Sequence, residues 1–221
     1  MVLVVASSEA ELQGARQFPI KRSGVHSLPC GRELAVAPLG VGKINAAINA
    51  TLAIQYYRPR MVICVGTCGG VNAELEVGDF VLPDKIVQWD VDLSLFGWPK
   101  GVLPSKDGSL EGALPLSILC DNYPRWAGRG VRFPLTLGSG DIFSTRAERN
   151  KTPWLTDELG IDALDMESYA VAKSGQELGV EVKVVRFVSD NSRGHRPKNY
   201  PKFLEAASLD LFALIAQSLT A

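Results

Sequence analysis

The chain has 221 residues, 46% of them hydrophobic, with 23 Lys and Arg against 24 Asp and Glu. That is material for one domain over residues 1–221 with a sizeable core, and a net charge of -1 offers no basic face, so nucleic acid is not an expected partner. No apolar run approaches membrane-spanning length, the start MVLVVASSEAEL lacks a positive n-region, and four cysteines with no CxxC pair beside two histidines argue against zinc. A reducing, cytoplasmic setting without metal or cofactor is the expectation.

In chain order, residues 2–6 read as a short apolar strand. Ser8-Glu9-Ala10-Glu11 then matches a capping box, with Ser8 capping a helix and Glu11 reaching back to its amide. Glu11 thus stands at the carboxyl end of a strand, and both a cap and a catalytic acid are open readings of it. Residues 25–39 read as a hairpin whose first arm passes Pro29 and whose second covers 33–38. Gly40-Val41-Gly42-Lys43 opens a helix with Ile44, Ala47, Ile48 and Leu52 on one face. Glycine-rich turns before helices can bind phosphate, but GxxxxGK[ST] is absent and a plain tight turn is favoured. Residues 61–65 form a buried strand that runs into Gly66-Thr67-Cys68-Gly69-Gly70, where a ligand or a neighbouring strand can approach the backbone.

Val77-Gly78-Asp79 introduces one long strand over residues 80–89. The loop over 90–99 carries Leu95, Phe96 and Trp98, more apolar surface than a loop usually buries. A contact between subunits is one reading, and packing on the domain's own core is the other. Residues 105–110 read as a surface loop and 114–126 as a helix. Residues 131–137 form a strand ending in Gly138-Ser139-Gly140-Asp141-Ile142-Phe143, and Thr145-Arg146-Ala147-Glu148 is a second capping box. Phe143 alone is more often core than ligand platform.

The stretch over 161–191 organises the chain. An apolar run enters Asp165-Met166-Glu167, and a helix over 167–178 comes next with Ala170, Val171, Ser174 and Leu178 at helical spacing. Gly179 suits a left-handed C-cap. Residues 182–188, rich in β-branched side chains, read as a buried parallel strand ending on Ser189-Asp190. Ligands of open α/β sheets bind beyond the carboxyl ends of strands, so Glu167 and Asp190 are placed to face one crevice. The polar loop over 191–198 is a lid or a solvated loop, with His195 read as solvated. Residues 200–219 form a last helix with Phe203, Leu204, Ala207, Leu211, Leu214 and Ile215 at helical spacing.

Four stretches therefore stand at strand ends: 7–12, the GTCGG turn with Val77-Gly78-Asp79, 139–143, and 165–190. In this order and spacing the chain resembles the purine nucleoside phosphorylase/nucleosidase superfamily, and most of all the 5'-methylthioadenosine/S-adenosylhomocysteine nucleosidases. The most specific parts are GTCGG followed by VGDFVLPD, the DVDLSLFG loop, SGDIF, and the pairing of Met-Glu with RFVSD. The resemblance implies an α/β fold, a three-layer α/β/α sandwich around a mixed, twisted sheet. It implies Asp190 as the acid at purine N7, held by Ser189. Glu167 would bind the ribose hydroxyls, with Met166 under the sugar and Arg186 beside that acid. Glu11 would activate the attacking water, near Thr67. Phe143 would stack on the base, with the backbone of Ile142 and Ser144 reading its edge. Phe96 and Pro104 would reach the 5' pocket of the partner in a homodimer.

The implied activity is hydrolysis of a purine nucleoside, a 5'-modified adenine nucleoside such as 5'-methylthioadenosine or S-adenosylhomocysteine. Cleavage of the N-glycosidic bond passes through an oxocarbenium-like transition state, needs a proton on the leaving base, and needs a base for the water. A phosphorylase would need cations around its phosphate. Related phosphorylases place an arginine where this chain has Cys64, and Ser7, Ser8 and Ala10 carry no charge either. That favours water. The other readings are a futalosine-type nucleoside hydrolase, for which the basic 191–198 loop would close over a more polar 5' group, a purine nucleoside phosphorylase, and a nucleoside-binding protein without turnover.

Overall fold

A strand that is apolar at every position must be covered on both faces, because successive side chains point to opposite sides of the sheet. The computed structural model of the protein, which describes residues 1–120, 122 and 125–220, obeys this rule in its central strands. They are β1 Val2–Ala6, β2 Glu33–Pro38, β3 Met61–Gly70, β4 Phe80–Val81, β5 Lys85–Gln88, β6 Thr136–Ser139, β7 Ala163–Asp165 and β8 Glu181–Asp190. Leu3 and Val5 of β1, Val62 and Cys64 of β3, and Val182 and Val184 of β8 enter one apolar cluster. Val2 and Val4, Ile63 and Val65, and Val185 and Phe187 enter the other.

Helices close both clusters. The main ones are α1 Glu9–Leu12, α2 Lys43–Tyr57, α3 Ser168–Leu178 and α4 Tyr200–Ser218. Ala46, Ala50 and Ile54 of α2 and Val171 of α3 cover the first cluster. Leu12 of α1 and Leu211, Phe212 and Ile215 of α4 cover the second. The result is a three-layer α/β/α sandwich around a mixed sheet.

The strand pairings create the site. β1 lies between β2 and β3 and is parallel to both, while β8 runs parallel along β3 as far as Gly69. β7 meets β3 antiparallel at Gly69 and Gly70. A strand has two edges, and β8 occupies one of them throughout, so β1 and β7 share the other. β1 takes residues 61–64 and β7 takes residues 69–70, from opposite directions. Their carboxyl ends converge over the backbone of residues 65–68.

Several expected elements differ. The long strand over 80–89 is broken between β4 and β5, where Pro83 has no N–H for a ladder bond. The strand over 131–137 is likewise divided at Pro134 into Arg129–Arg132 and Thr136–Ser139. No helix forms over 114–126 among the described residues. Leu114–Pro115 pairs with Ile86 and Lys85 at the sheet edge, and Arg125–Trp126 pairs with Gly130 and Arg129. Pro115 would be tolerated in the first turn of a helix, so the departure shows in the strand pairing, and Asp121, Tyr123 and Pro124 lie outside the described residues. α2 buries its small face, leaving Ile44, Ile48 and Leu52 exposed. The hairpin of Val25–Ser27 with β2 and the left-handed cap at Gly179 form as expected. No helix among the described residues is long and apolar enough to cross a membrane.

Candidate active site

The converging strands enclose a cavity of about 210 Å³. Glu11 reaches it from α1, which starts directly after β1. Its Oε2 accepts from the Ser8 amide at 3.1 Å and from the Ser7 hydroxyl at 2.6 Å. Its Oε1 accepts from the Thr67 amide at 3.0 Å and lies 3.4 Å from the Thr67 hydroxyl. One carboxylate thus completes the start of a helix and also lines the cavity. The two readings left open by the sequence are compatible in space.

Glu167 stands at the N-cap position of α3, just past the end of β7, without a side-chain capping bond to the helix. Its Oε1 accepts from the Gly42 amide at 3.1 Å. The glycine turn before α2 therefore offers its N–H to a carboxylate of the chain itself. Burial pushes the Glu167 carboxyl up to about 7, Asp165 and Glu11 add to this, and Arg186 and the Gly42 amide oppose it.

Arg186 is 1% exposed and is not part of the cavity lining. It stands behind Glu167, 3.7 Å from Oε2, and pairs more closely with Asp165 at 2.6 Å. Its Nε and Nη2 donate to the Ser168 hydroxyl at 3.0 and 2.7 Å, and its Nη1 donates to the Val65 carbonyl at 3.0 Å. Asp165 also accepts from the Ser139 hydroxyl and, at 3.1 Å, from the Ser168 amide. Gly66 makes this possible: a Cβ there would collide with Arg186 Nη1 and lie 2.7 Å from Glu11 Oε1. Cys64 is buried under the same group, and burial pushes its thiol up to about 12, so it is no nucleophile.

At the other end of the cavity, Asp190 Oδ2 accepts from the Ser189 hydroxyl at 3.1 Å, and Oδ1 pairs with Arg149. The Arg149 guanidinium also donates from Nε and Nη2 to the Ser144 carbonyl at 3.1 and 3.0 Å, and from Nη1 to the Gly70 carbonyl at 2.6 Å. A Cβ on Gly69 would lie 2.6 Å from Arg149 Nη2, so this glycine makes room for the arginine. Ile142, Phe143, Ser144 and Met166 line the cavity as well. Phe143 is 77% exposed, on the open side. The Ser144 hydroxyl is buried without a hydrogen-bond partner among the described residues.

The structure therefore brings Glu11, Thr67, Ile142, Phe143, Ser144, Met166, Glu167, Ser189 and Asp190 to one cavity. Phe96, in the turn Ser94–Phe96, and Pro104, in Leu103–Pro104, are exposed and do not line it. Sequence reading missed Arg149, Asp165 as partner of Arg186, and Tyr200. Partial burial pushes the Tyr200 phenol up, the Thr67 hydroxyl opposes this, and the Glu11 and Asp190 carboxylates add to it, though Tyr200 is not part of the cavity lining. Lys43 and Asp141 tie the loops around the site: Lys43 Nζ pairs with Asp90 at 2.6 Å, and the Asp141 amide donates to Asp90 at 2.8 Å.

Residues 6–220 match the Phosphorylase superfamily. The 5'-methylthioadenosine/S-adenosylhomocysteine nucleosidase of Actinobacillus succinogenes is 33% identical over 178 residues, 80% of this chain and 76% of that protein. The nucleosidase of the same name from Campylobacter jejuni superposes with a TM-score of 0.83 at 21% identity, covering 99% of this chain and 97% of that one. A futalosine hydrolase mutant of Helicobacter pylori gives 0.80 at 22% identity, covering 98% of each chain. These two structures bear on the fold, and the first relative bears on the family. The chain belongs to the phosphorylase superfamily and, within it, to the family of the 5'-methylthioadenosine/S-adenosylhomocysteine nucleosidases.

Proposed function

We propose that this protein hydrolyses the N-glycosidic bond of 5'-modified purine nucleosides, 5'-methylthioadenosine and S-adenosylhomocysteine among them. The observation that carries the reading is the placement of two carboxylates on either side of β3. Glu11 follows β1 on one edge and Asp190 ends β8 on the other, and both line one cavity. In the proposed reaction, Asp190 gives a proton to purine N7 while the C1'–N9 bond breaks and its electron pair leaves with the base. Glu11 takes a proton from the water that attacks C1' from the opposite face. Glu167 holds the ribose hydroxyls, Met166 packs under the sugar, and Phe143 stacks on the base. The Ile142 and Ser144 backbone reads the base edge, Ser189 steadies Asp190, and Arg186 sets Asp165 and Glu167 from behind.

Water is preferred to phosphate because a dianion needs cations. The cation in the lining is Arg149, and it is engaged by Asp190. Around Glu11 stand the hydroxyls of Ser7 and Thr67.

The active form in this reading is a homodimer. Ile44, Ile48 and Leu52 form an exposed apolar row on α2, and Leu95 and Phe96 are 91% and 71% exposed. Paired across a two-fold axis, these surfaces would be covered, and Phe96 and Pro104 would border the partner's 5' subsite. A reducing cytoplasm suits the buried thiols of Cys64 and Cys68.

The test is incubation with 5'-methylthioadenosine and S-adenosylhomocysteine in phosphate buffer, followed by chromatography of both products. Free base with free reducing sugar is expected. A sugar 1-phosphate would make the protein a phosphorylase, and intact nucleoside after prolonged incubation would make it a binding protein.

A further inference from the structure

The capping box at the start of α1 uses Ser8 and Glu11. Ser7 precedes the cap and is no part of it. The residue nevertheless lines the cavity, and its hydroxyl donates to Glu11 Oε2 at 2.6 Å. That length suits an O–H donor on an ionised carboxylate, and it is the shortest hydrogen bond that the Glu11 side chain receives. The backbone fixes Ser7 in place. Its carbonyl accepts from the Gly40 amide at 3.0 Å, and the Ala6 carbonyl accepts from the Leu39 amide at 2.8 Å, so the end of β1 is stitched to the turn before α2.

Glu11 is crowded for a group that must also meet a water. A carboxylate offers about four lone-pair sites. Five donors converge on this one: the amides of Ser8 and Thr67 at 3.1 and 3.0 Å, and the hydroxyls of Ser7, Ser8 and Thr67 at 2.6, 3.2 and 3.4 Å. The amide hydrogens cannot turn away. A hydroxyl that donates to Glu11, by contrast, keeps two lone pairs with which to accept from a water. Ser8 is not among the residues that line the cavity, whereas Ser7 and Thr67 are. Of those two hydroxyls, that of Ser7 is bound to the carboxylate far more closely, at 2.6 Å against 3.4 Å.

We propose that Ser7 is a further catalytic residue, which relays a proton of the attacking water to Glu11. The proposal rests on the hydrolase reading, in which Glu11 is the base. The water oxygen bonds to C1' as the C1'–N9 bond breaks and its electron pair leaves with the base. One water proton passes to Ser7 Oγ, the Ser7 hydroxyl proton passes to Glu11 Oε2, and Asp190 gives its own proton to N7. Glu11 then releases its proton and Asp190 regains one from solvent, so a turnover consumes one water and nothing else. Ser7 ends as it began, with no bond to the sugar. Its pinned backbone holds the hydroxyl still, which orients the water before it attacks.

The experiment is steady-state hydrolysis of 5'-methylthioadenosine by wild type, Ser7→Ala, Ser7→Thr, Glu11→Gln and the double variant Ser7→Ala/Glu11→Gln. Ser7→Ala should lose about 10²-fold in kcat, the lower end of what general acid–base catalysis supplies, with KM little changed. Ser7→Thr keeps a hydroxyl and should keep most of the kcat. Because Ser7 acts through Glu11, the double variant should be no slower than Glu11→Gln alone. A structural role would lower the melting temperature without producing that non-additivity. If Ser7→Ala does not fold, Ser7→Gly carries the same expectations. Near wild-type kcat in Ser7→Ala overturns the relay, and so do losses that multiply in the double variant, since Ser7 would then act apart from Glu11. Both of those results leave the hydrolase reading standing. A wild type that cleaves no nucleoside overturns the hydrolase reading, and the relay with it.

Discussion

Arg186 and Asp165 form an ion pair at 2.6 Å with both side chains 1% exposed, and the pair holds up the floor of the cavity, with the arginine itself outside the lining. Removing one partner of such a pair leaves the other buried and uncompensated, at a cost of about 3–5 kcal/mol. Arg186→Leu would strand two carboxylates, Asp165 and Glu167. Its melting temperature should fall by roughly 6–20 °C at this chain length. Calorimetry or thermal circular dichroism checks this, and a change within experimental scatter would show that the pair contributes little.

Glu11→Gln tests whether capping and catalysis can be separated. A glutamine is often adequate at this position of a capping box. Here both carboxylate oxygens face N–H donors, those of Ser8 and Thr67. Whichever way the amide is turned, its NH2 group meets an N–H. The variant should lose about 1–3 kcal/mol of stability and, if Glu11 activates water, about 10²–10⁴-fold in kcat. Thermal melting with single-substrate kinetics separates the two. Lowered stability with unchanged kcat would confine Glu11 to its structural role.

Glu167 should make substrate affinity pH-dependent. Its carboxyl is pushed from an ordinary 4.5 up to about 7, chiefly by burial. The ribose hydroxyls are donors and favour the ionised form, so KM should fall as pH rises through about 7 and then level. Stability runs the other way. A carboxyl raised in the folded state gives stability that is fully present below pH 4.5 and is lost as pH rises through about 7. Glu167→Gln should therefore gain melting temperature relative to wild type between pH 5 and pH 8, while its KM is high and flat over that range. A wild-type KM independent of pH in this window would separate Glu167 from the ribose.

Much of this site was legible because it lies at strand ends. The apolar runs of β1, β3 and β8 identify buried strands, and the polar residues at or just past their apolar runs, Glu11, Thr67 and Asp190, must sit near the sheet's carboxyl edge. Glycine spacing marked the positions of Gly66 and Gly69 but not their purpose, which is to make room for Arg186, Glu11 and Arg149. Arg149 itself carried no local signal. It sits in the four-residue helix Arg146–Arg149, on a polar stretch without periodicity, and its partners are two backbone carbonyls and an acid far along the chain. Periodicity was also a poor guide to direction on α2. The bulky row of Ile44, Ile48 and Leu52 faces outward, because the close approach of α2 to the sheet and α3 admits mostly alanine-sized side chains on the inner face.

That outward row gives the last prediction. Ile44 and Ile48 are 72% and 55% exposed, and each adds apolar surface that costs about 25 cal/mol per Å² in contact with water. If α2 packs against a second copy of the chain, Ile48→Glu places a charge in that interface without touching the cavity lining. Sedimentation velocity should show wild type as a dimer and the variant as a monomer at micromolar concentration. The far-ultraviolet circular dichroism should be unchanged, since the side chain is exposed within the chain. If Phe96 and Pro104 complete the partner's 5' subsite, the monomeric variant should show a raised KM for substrates with a large apolar 5' group, more than for the unmodified nucleoside. Phe96→Ala should reproduce that KM pattern in a protein that remains a dimer at high concentration. A wild-type monomer with full activity, or an Ile48→Glu monomer with unaltered KM for every substrate, would show each site to be complete within one chain.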